Sequence, residues 1–192
     1  MSMAMGYEEM RTLLKKSLKP SRYEHSLGVA QTAVFLAQRF GVDEQQAQTA
    51  GLLHDCAREF PVENLIAEAE KRLIMVDALE RRMPLLLHAY VGARLAVEKY
   101  GISDSAVEKA IWRHTVGGAD MTNLDKIIWF ADMIEPNRDY PGVERLRTLA
   151  HTASLDEMVL AGLTDSIAFV LQKGGLIHPN TVLARNEILL GR

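Results

Sequence analysis

Four separated side chains, His25, His54, Asp55 and Asp132, are of the types that bind a divalent cation. Imidazole nitrogens and carboxylate oxygens are common ligands for such ions, and two of each leave coordination positions open for water. A water molecule held by the ion ionises near neutral pH and becomes a strong nucleophile toward phosphorus. These residues therefore predict a metal-dependent phosphohydrolase, in which Asp55 also belongs to the catalytic groups.

Helices must carry these residues to one place. Ser21–Glu24 has the pattern of a capping box, with serine at the cap and glutamate three residues later. It predicts a helix that carries His25, runs to Phe40 and ends at Gly41, a residue that readily adopts the left-handed conformation. The first ligand is therefore expected in the opening turns of a long helix.

Two further helices carry the other ligands. Asp43 predicts the cap of a helix that leads to His54 and Asp55. Thr122–Asp125 predicts the start of a helix to residue 134, in which an all-apolar stretch precedes Asp132 and must be buried. Because an unpaired buried carboxylate costs several kcal/mol, a shared cation is the partner that we expect.

The rest of the chain also has helical patterns. No segment alternates with period 2, so we predict an all-α fold without a sheet, with residues 1–192 forming one helical-bundle domain. The other predicted helices cover about residues 7–18, 61–69, 77–82, 85–100, 103–114, 154–173 and 179–190, with caps at Ser103, Ser154 and His178. Irregular segments at 115–121 and 135–141 flank candidate site residues and are expected to be functional loops.

The composition argues against several function classes. A net charge of −3 argues against non-specific binding to nucleic acid. No apolar run approaches 18 residues, so no membrane span is expected. Residues 1–7 lack a basic region followed by an apolar one, so no secretory signal is predicted. Cys56 is the only cysteine, which fits a reducing cytoplasm, and we interpret it as a small core residue rather than a metal ligand.

The strings around these positions resemble one family. They occur in the order His25–Val29, His54–Arg58, His88–Gly92, His114–Gly118 and Asp132–Val143. Together they resemble the YqeK-type branch of the HD-domain phosphohydrolases, the symmetrical bis(5'-nucleosyl)-tetraphosphatases. The resemblance runs from about residue 22 to the C-terminus, and the last string is the most specific. It implies an all-α HD-domain bundle that splits diadenosine tetraphosphate into two ADP.

The same resemblance bears on the cofactor. The ligand set alone does not name the ion. The resemblance favours iron, and manganese, cobalt or another divalent ion stay open. His88 and His114 have two open interpretations, as ligands of a second ion or as groups that contact phosphate and donate a proton. Matching positions in the YqeK-type proteins contact the nucleotide diphosphate, so we predict that both residues are catalytic and substrate-binding, and that Asp132 also touches substrate.

Arg22, Arg58 and Arg138 are the predicted polyphosphate clamp, because guanidinium groups bind phosphate oxygens bidentately. Arg22 precedes His25 by three residues and Arg58 follows Asp55 by three, so each shares a face with a ligand if its helix continues. Arg138 lies in the loop that follows the last predicted ligand.

Other functions stay open at this point. A different nucleotide phosphohydrolase, acting on nucleoside monophosphates, triphosphates or cyclic nucleotides, would use the same site. A non-catalytic nucleotide-sensing or scaffold protein is a second alternative. The expected partner is a small dinucleoside polyphosphate or nucleotide, and a homodimer is left open. Glu135 is expected to hold a clamp arginine or to cap a turn.

Overall fold

The computed structural model describes residues 5–191, and these residues form eleven α-helices and no strand. The predicted all-α class is confirmed. In chain order the helices are α1 (Tyr7–Ser17), α2 (Pro20–Phe40), α3 (Glu44–Leu53), α4 (Leu65–Lys71), α5 (Ala78–Arg82), α6 (Leu87–Tyr100), α7 (Ser105–Arg113), α8 (Asn123–Ile134), α9 (Val143–Thr152), α10 (Leu155–Gln172) and α11 (Pro179–Leu189). The prediction about a secretory signal rests partly on residues 1–4, which lie outside the described part.

The helices that carry the predicted ligands pack against one another. α2 lies along both α3 and α8, and α7 packs against α3, α6 and α8. The backbones of α2 and α3 approach each other closely at Gly51, where a Cβ atom would lie 2.8 Å from Cα of Ala30. Leu52 of α3 and Ile127 and Phe130 of α8 are fully buried in the core. The packing of α2, α3 and α8 thus fixes the relative positions of the residues that are predicted to bind the metal.

The predicted capping box at Ser21 is wrong. α2 begins at Pro20, two residues earlier than a cap at Ser21 would place it, and the preceding Lys19 makes no side-chain cap. Proline suits the first helical position because its φ is already set and it has no N–H that needs a partner. The predicted end is confirmed, since Gly41 follows Phe40 in the left-handed conformation, with φ of +67°.

Most of the other helix signals are confirmed. Asp43, Thr122, Ser154 and His178 each accept a backbone N–H at the start of a helix. The predicted cap at Ser103 is wrong, because Asp104 accepts the N–H of the residue two positions later instead. The long helix expected from residue 85 starts at 87, after a 3₁₀ turn. Among residues 5–191, none of the helices is both long and apolar enough to span a bilayer.

Candidate metal centre

The structure brings the four predicted ligands together. His25 Nε2 lies 3.2 Å from His54 Nε2, 3.0 Å from Asp132 Oδ1 and 3.6 Å from Asp55 Oδ2. His54 Nε2 lies 3.5 Å and 3.7 Å from the same Asp55 and Asp132 oxygens. Ligand atoms about 2.1 Å from one ion are separated by about 3.0–3.5 Å, depending on the geometry. The two imidazoles are therefore at ligand spacing from each other and from both carboxylates, and His25, His54 and Asp55 form a group that could hold an ion.

The outward nitrogen of each imidazole, Nδ1, has a hydrogen-bond acceptor. His54 Nδ1 donates to the carbonyl of Gly51 at 2.7 Å, and His25 Nδ1 donates to Glu135 Oε1 at 3.0 Å. A neutral imidazole protonated at Nδ1 carries a lone pair at Nε2, which is the form that binds metals. Two lone pairs 3.2 Å apart in a buried site repel unless a positive charge lies between them. This donor set fits a divalent cation.

Asp55 connects this quartet to a second pair of histidines. α3 ends just before His54, and the chain turns into a short 3₁₀ helix at Cys56–Glu59. Asp55 Oδ2 faces the quartet, while Oδ1 lies 3.1 Å from His88 Nε2 and 3.9 Å from His114 Nε2. Asp55 and these two histidines form a second group that could hold an ion.

His88 and His114 are also held by their Nδ1 atoms. Each Nδ1 donates to the carbonyl three residues earlier in its own chain segment. Their Nε2 atoms lie 3.1 Å apart, and the Thr115 hydroxyl lies 3.3 Å from the first and 3.1 Å from the second. Trp129 Nε1 donates to the Thr115 carbonyl and fixes that backbone. Thr115 is a site residue that sequence reasoning did not name, and its place in an irregular segment was the available signal.

Burial and charge shift the pKa values within the site. Burial alone would lower the pKa of His54, but the carboxylates of Asp55 and Asp132 outweigh it and raise that pKa above its ordinary value. Burial opposes ionisation of both carboxyl groups, but the neighbouring imidazoles outweigh it and hold both pKa values below their ordinary range. Burial, together with His54 and His88, lowers the pKa of His114 to about 3. At neutral pH the site thus combines two carboxylates with a neutral His114.

The three predicted clamp arginines occupy different settings. Arg22 Nη1 donates to Asp55 Oδ2 at 2.8 Å. Arg138 Nε donates to the Asp132 carbonyl at 2.7 Å, and its Nη2 pairs with the Asp132 carboxylate. These two guanidinium groups therefore lie at the site but already neutralise its carboxylates.

Arg58 differs from Arg22 and Arg138 in its ion pairing. α3 does not continue to it, so it follows Asp55 through the 3₁₀ turn, and its side chain has no carboxylate partner within residues 5–191. Burial lowers its pKa. Arg58 and Arg22 border an open cleft of about 400 Å³ whose other walls include Phe60, Leu65 and Leu85. A cleft with guanidinium groups and apolar walls suits a phosphorylated, partly apolar ligand.

Glu135 directly follows α8 and is 1% exposed. The expectation that it caps a turn is confirmed, because Oε2 accepts the backbone N–H of Asn137 at 2.8 Å. Its other oxygen binds His25 rather than a clamp arginine. The spacing of three residues from Asp132 was the signal that could have placed both carboxylates on the same face.

Comparison with known proteins identifies the family of this chain. The HD domain model matches residues 22–137. The chain is 40% identical to the symmetrical bis(5'-nucleosyl)-tetraphosphatase of Halalkalibacterium halodurans, covering 93% of this chain and 94% of the relative. It is 36% identical to the protein of that name from Bacillus subtilis, covering 97% and 100%. A crystal structure of an HD superfamily hydrolase from Clostridium acetobutylicum superposes with a TM-score of 0.92 at 39% identity, covering 97% of this chain and 98% of that one. The chain belongs to the HD-domain family, in the group that includes the symmetrical bis(5'-nucleosyl)-tetraphosphatases.

Proposed function

We propose that the protein is a metal-dependent hydrolase that splits diadenosine tetraphosphate symmetrically into two ADP. The observation that carries this proposal is the convergence of His25, His54, Asp55 and Asp132 on donor distances suited to one cation, beside arginines that can hold phosphate. Relatives that share nearly the whole chain bear the name of this activity. The proposed unit of function is the whole chain as one domain.

The same four residues hold the metal in this proposal. When bound, the divalent cation supplies a Lewis acid and an activated water. We propose iron, since the YqeK-type resemblance favours it, with manganese, cobalt or another divalent ion as alternatives. Elemental analysis of protein purified without added metal or chelator distinguishes them. Oxygen and nitrogen donors of this kind do not select among these ions by themselves.

Arg58 is proposed as the main phosphate-binding group. A polyphosphate that enters the cleft meets a guanidinium that has no carboxylate partner in the described part of the chain, so binding need not break an ion pair there. Arg22 and Arg138 contribute positive charge at the edge of the site while they orient Asp55 and Asp132. Charge that develops on phosphate oxygens during displacement is stabilised by such fixed cationic groups.

His88 and His114 are proposed to contact the phosphate of the leaving ADP. His114 is neutral at pH 7, because its pKa is lowered to about 3 by burial and by its neighbouring histidines. An incoming phosphate brings negative charge that raises the pKa of an adjacent imidazole and so favours proton transfer to the leaving group. In this role the pair releases ADP rather than activating the nucleophile.

The distances around Asp55 Oδ1 support a competing role for this pair. Asp55, His88 and His114 place one oxygen and two nitrogens within 3.9 Å of one another. A second ion held there would make Asp55 a bridging ligand. Metal titration monitored by calorimetry separates the roles, because the phosphate-contact role requires one equivalent of metal and the bridging role requires two.

We further propose that the protein acts on free small molecules in the cytoplasm, without nucleic acid as a partner. The net charge of −3 and the single buried Cys56 support this setting. Light scattering on the purified protein decides between a monomer and a homodimer.

Product analysis tests the proposed reaction. The metal-loaded protein is incubated with diadenosine tetraphosphate, and nucleotides are separated at early times. ADP alone is the expected product, with one of each pair of ADP molecules labelled when the reaction runs in ¹⁸O-water. Equimolar AMP and ATP would place the cut elsewhere. Faster turnover of a nucleoside monophosphate, a nucleoside triphosphate or a cyclic nucleotide would favour another phosphohydrolase, and binding without turnover of any of these would favour a nucleotide sensor.

A further inference from the structure

We propose that Glu135 is the positioning residue for the metal ligand His25, and that Gly28 is required because it leaves room for the Glu135 carboxylate. This inference rests on the proposed metal site. The Glu135 carboxylate is almost fully buried, and Oε1 accepts the Nδ1 proton of His25 at 3.0 Å. The bond fixes the ring plane and keeps Nε2 unprotonated and directed at the other ligands.

His25 differs in this respect from the other histidines of the site. His54, His88 and His114 each donate Nδ1–H to a backbone carbonyl three residues earlier. The His25 proton goes instead to a carboxylate 110 residues away in sequence. A carboxylate partner makes an imidazole a stronger donor to a metal than a neutral carbonyl does. Glu135 therefore both orients His25 and strengthens it as a ligand.

Gly28 lies three residues after His25, on the same face of α2. A Cβ atom at this position would lie 2.4 Å from Glu135 Oε2 and 3.3 Å from its Cδ. Glycine is unfavourable inside a helix, so its presence here needs a packing reason. The approach of the carboxylate to the helix backbone supplies that reason.

Asn137 holds the Glu135 carboxylate, and Arg147 holds the backbone of the turn that carries it. Asn137 donates both its backbone N–H and its Nδ2–H to Oε2, at 2.8 Å and 3.1 Å. Arg147 donates to the carbonyls of Ile134, Glu135 and Arg138, at 2.9, 2.7 and 2.8 Å. The turn that carries Glu135 is thus tied down on both sides.

The test compares Glu135→Ala, Glu135→Gln and Gly28→Ala with the wild type. Glu80→Gln is the matched control, because Glu80 is also buried beside a histidine, His178, that lies outside the site. Metal affinity is measured by competition with a chelator. We expect Glu135→Ala and Gly28→Ala to weaken metal affinity by about 10- to 100-fold. The affinity of Glu135→Gln should lie between theirs and that of the wild type. The control should bind metal as tightly as the wild type.

A second readout needs no metal. Nitrogen-15 NMR of the chelated protein reports which ring nitrogen of His25 is protonated, and the Nδ1–H form should lose population in Glu135→Ala and Gly28→Ala. Should Glu135→Ala not fold, Asn137→Ala tests the same contact while it leaves the carboxylate in the chain, and it should shift both readouts in the same direction.

His54→Ala separates this inference from the proposal that it rests on. Loss of metal from His54→Ala with unchanged affinity and an unchanged His25 tautomer in the Glu135 and Gly28 variants would overturn the positioning role alone. Full metal retention in His54→Ala would instead overturn the metal site itself.

Discussion

His25 and His54 direct their Nε2 atoms at each other across 3.2 Å, which sets two lone pairs against each other when both rings are neutral and protonated at Nδ1. The two rings meet edge to face at an interplanar angle of 68°. On its far side, each ring donates its Nδ1 proton to an oxygen that can only accept a hydrogen bond, the Glu135 carboxylate or the Gly51 carbonyl. A positive charge between the nitrogens turns this unfavourable contact into a binding site, and a proton or a divalent ion can supply it.

The first prediction concerns this contact. His54→Ala should lose most bound metal and nearly all turnover while the protein stays folded, because one of four ligands and its share of the charge are removed. Elemental analysis, a rate assay and circular dichroism measure the three properties. His151→Ala is the control, since His151 is exposed and packs on Phe35 outside the site. A His54→Ala protein with full metal content would defeat the assignment.

The second prediction separates the arginines. Arg58→Ala should keep its metal and lose about 10- to 100-fold in kcat/KM, which corresponds to about 1.5–3 kcal/mol for a charge-assisted phosphate contact. Arg138→Ala should lose metal affinity as well, because it leaves the Asp132 carboxylate without its guanidinium partner. Lysine at position 58 should rescue only in part, since a point charge cannot form the bidentate contact. Unchanged ADP affinity in Arg58→Ala, measured by calorimetry, would remove Arg58 from the clamp.

The third prediction concerns pH. As the pH rises, the stability of the metal-free protein should fall, while the affinity for metal should rise. The pKa of His54 is raised in the metal-free fold, so its contribution to stability is complete below about pH 6.5 and is lost as the pH rises through the folded value. Chelated protein should therefore lose thermal stability as the pH rises above about 6.5, where the site carboxylates and His114 no longer titrate. Metal must displace the same proton, so its affinity should strengthen over that range.

Melting curves at several pH values, with metal and with chelator, check this behaviour. The two sets of Tm values should diverge as the pH rises. Parallel curves would mean that His54 does not exchange a proton for the metal. In chelated His54→Ala the loss of stability with rising pH should be absent, which ties that loss to the His54 proton.

The fourth prediction concerns the contact between α2 and α3. Gly51→Ala should destabilise the fold by about 1–3 kcal/mol, because the new Cβ would lie 2.8 Å from Cα of Ala30 and would push the two helices apart. Gly92→Ala on α6 is the matched control, as a Cβ there meets its nearest neighbour, the His54 carbonyl, at an ordinary 3.4 Å. Urea unfolding compares the two. Equal stability of the two variants would mean that the α2–α3 contact relaxes freely.

Sequence patterns were sufficient where one local signal decided the outcome. The caps at Asp43, Thr122 and Ser154 follow from a side chain that reaches a nearby backbone N–H. Ser21 failed because a neighbouring proline competes for the same helix start and its preference is stronger at that position. Local signals of this kind predict element type well and exact ends less well.

Contacts between side chains far apart in the sequence were not predicted. The gathering of His25, His54 and Asp132 was predicted from their chemistry, but the partner of His25 was not, because nothing local links it to Glu135. Thr115 was missed for a related reason, since its position depends on a hydrogen bond from Trp129 on another helix. The pairing of Arg22 and Arg138 with site carboxylates likewise depends on how helices pack.

The partner of His25 also sets an order of assembly during synthesis. The ribosome releases α2 and α3 long before the segment that contains both Asp132 and Glu135. Until that segment docks, the nascent chain has three of the four proposed ligands, and His25 lacks its Nδ1 partner. In the proposed site, tight retention of metal therefore requires the segment that carries Asp132 and Glu135, and we expect chains truncated before it to bind metal weakly.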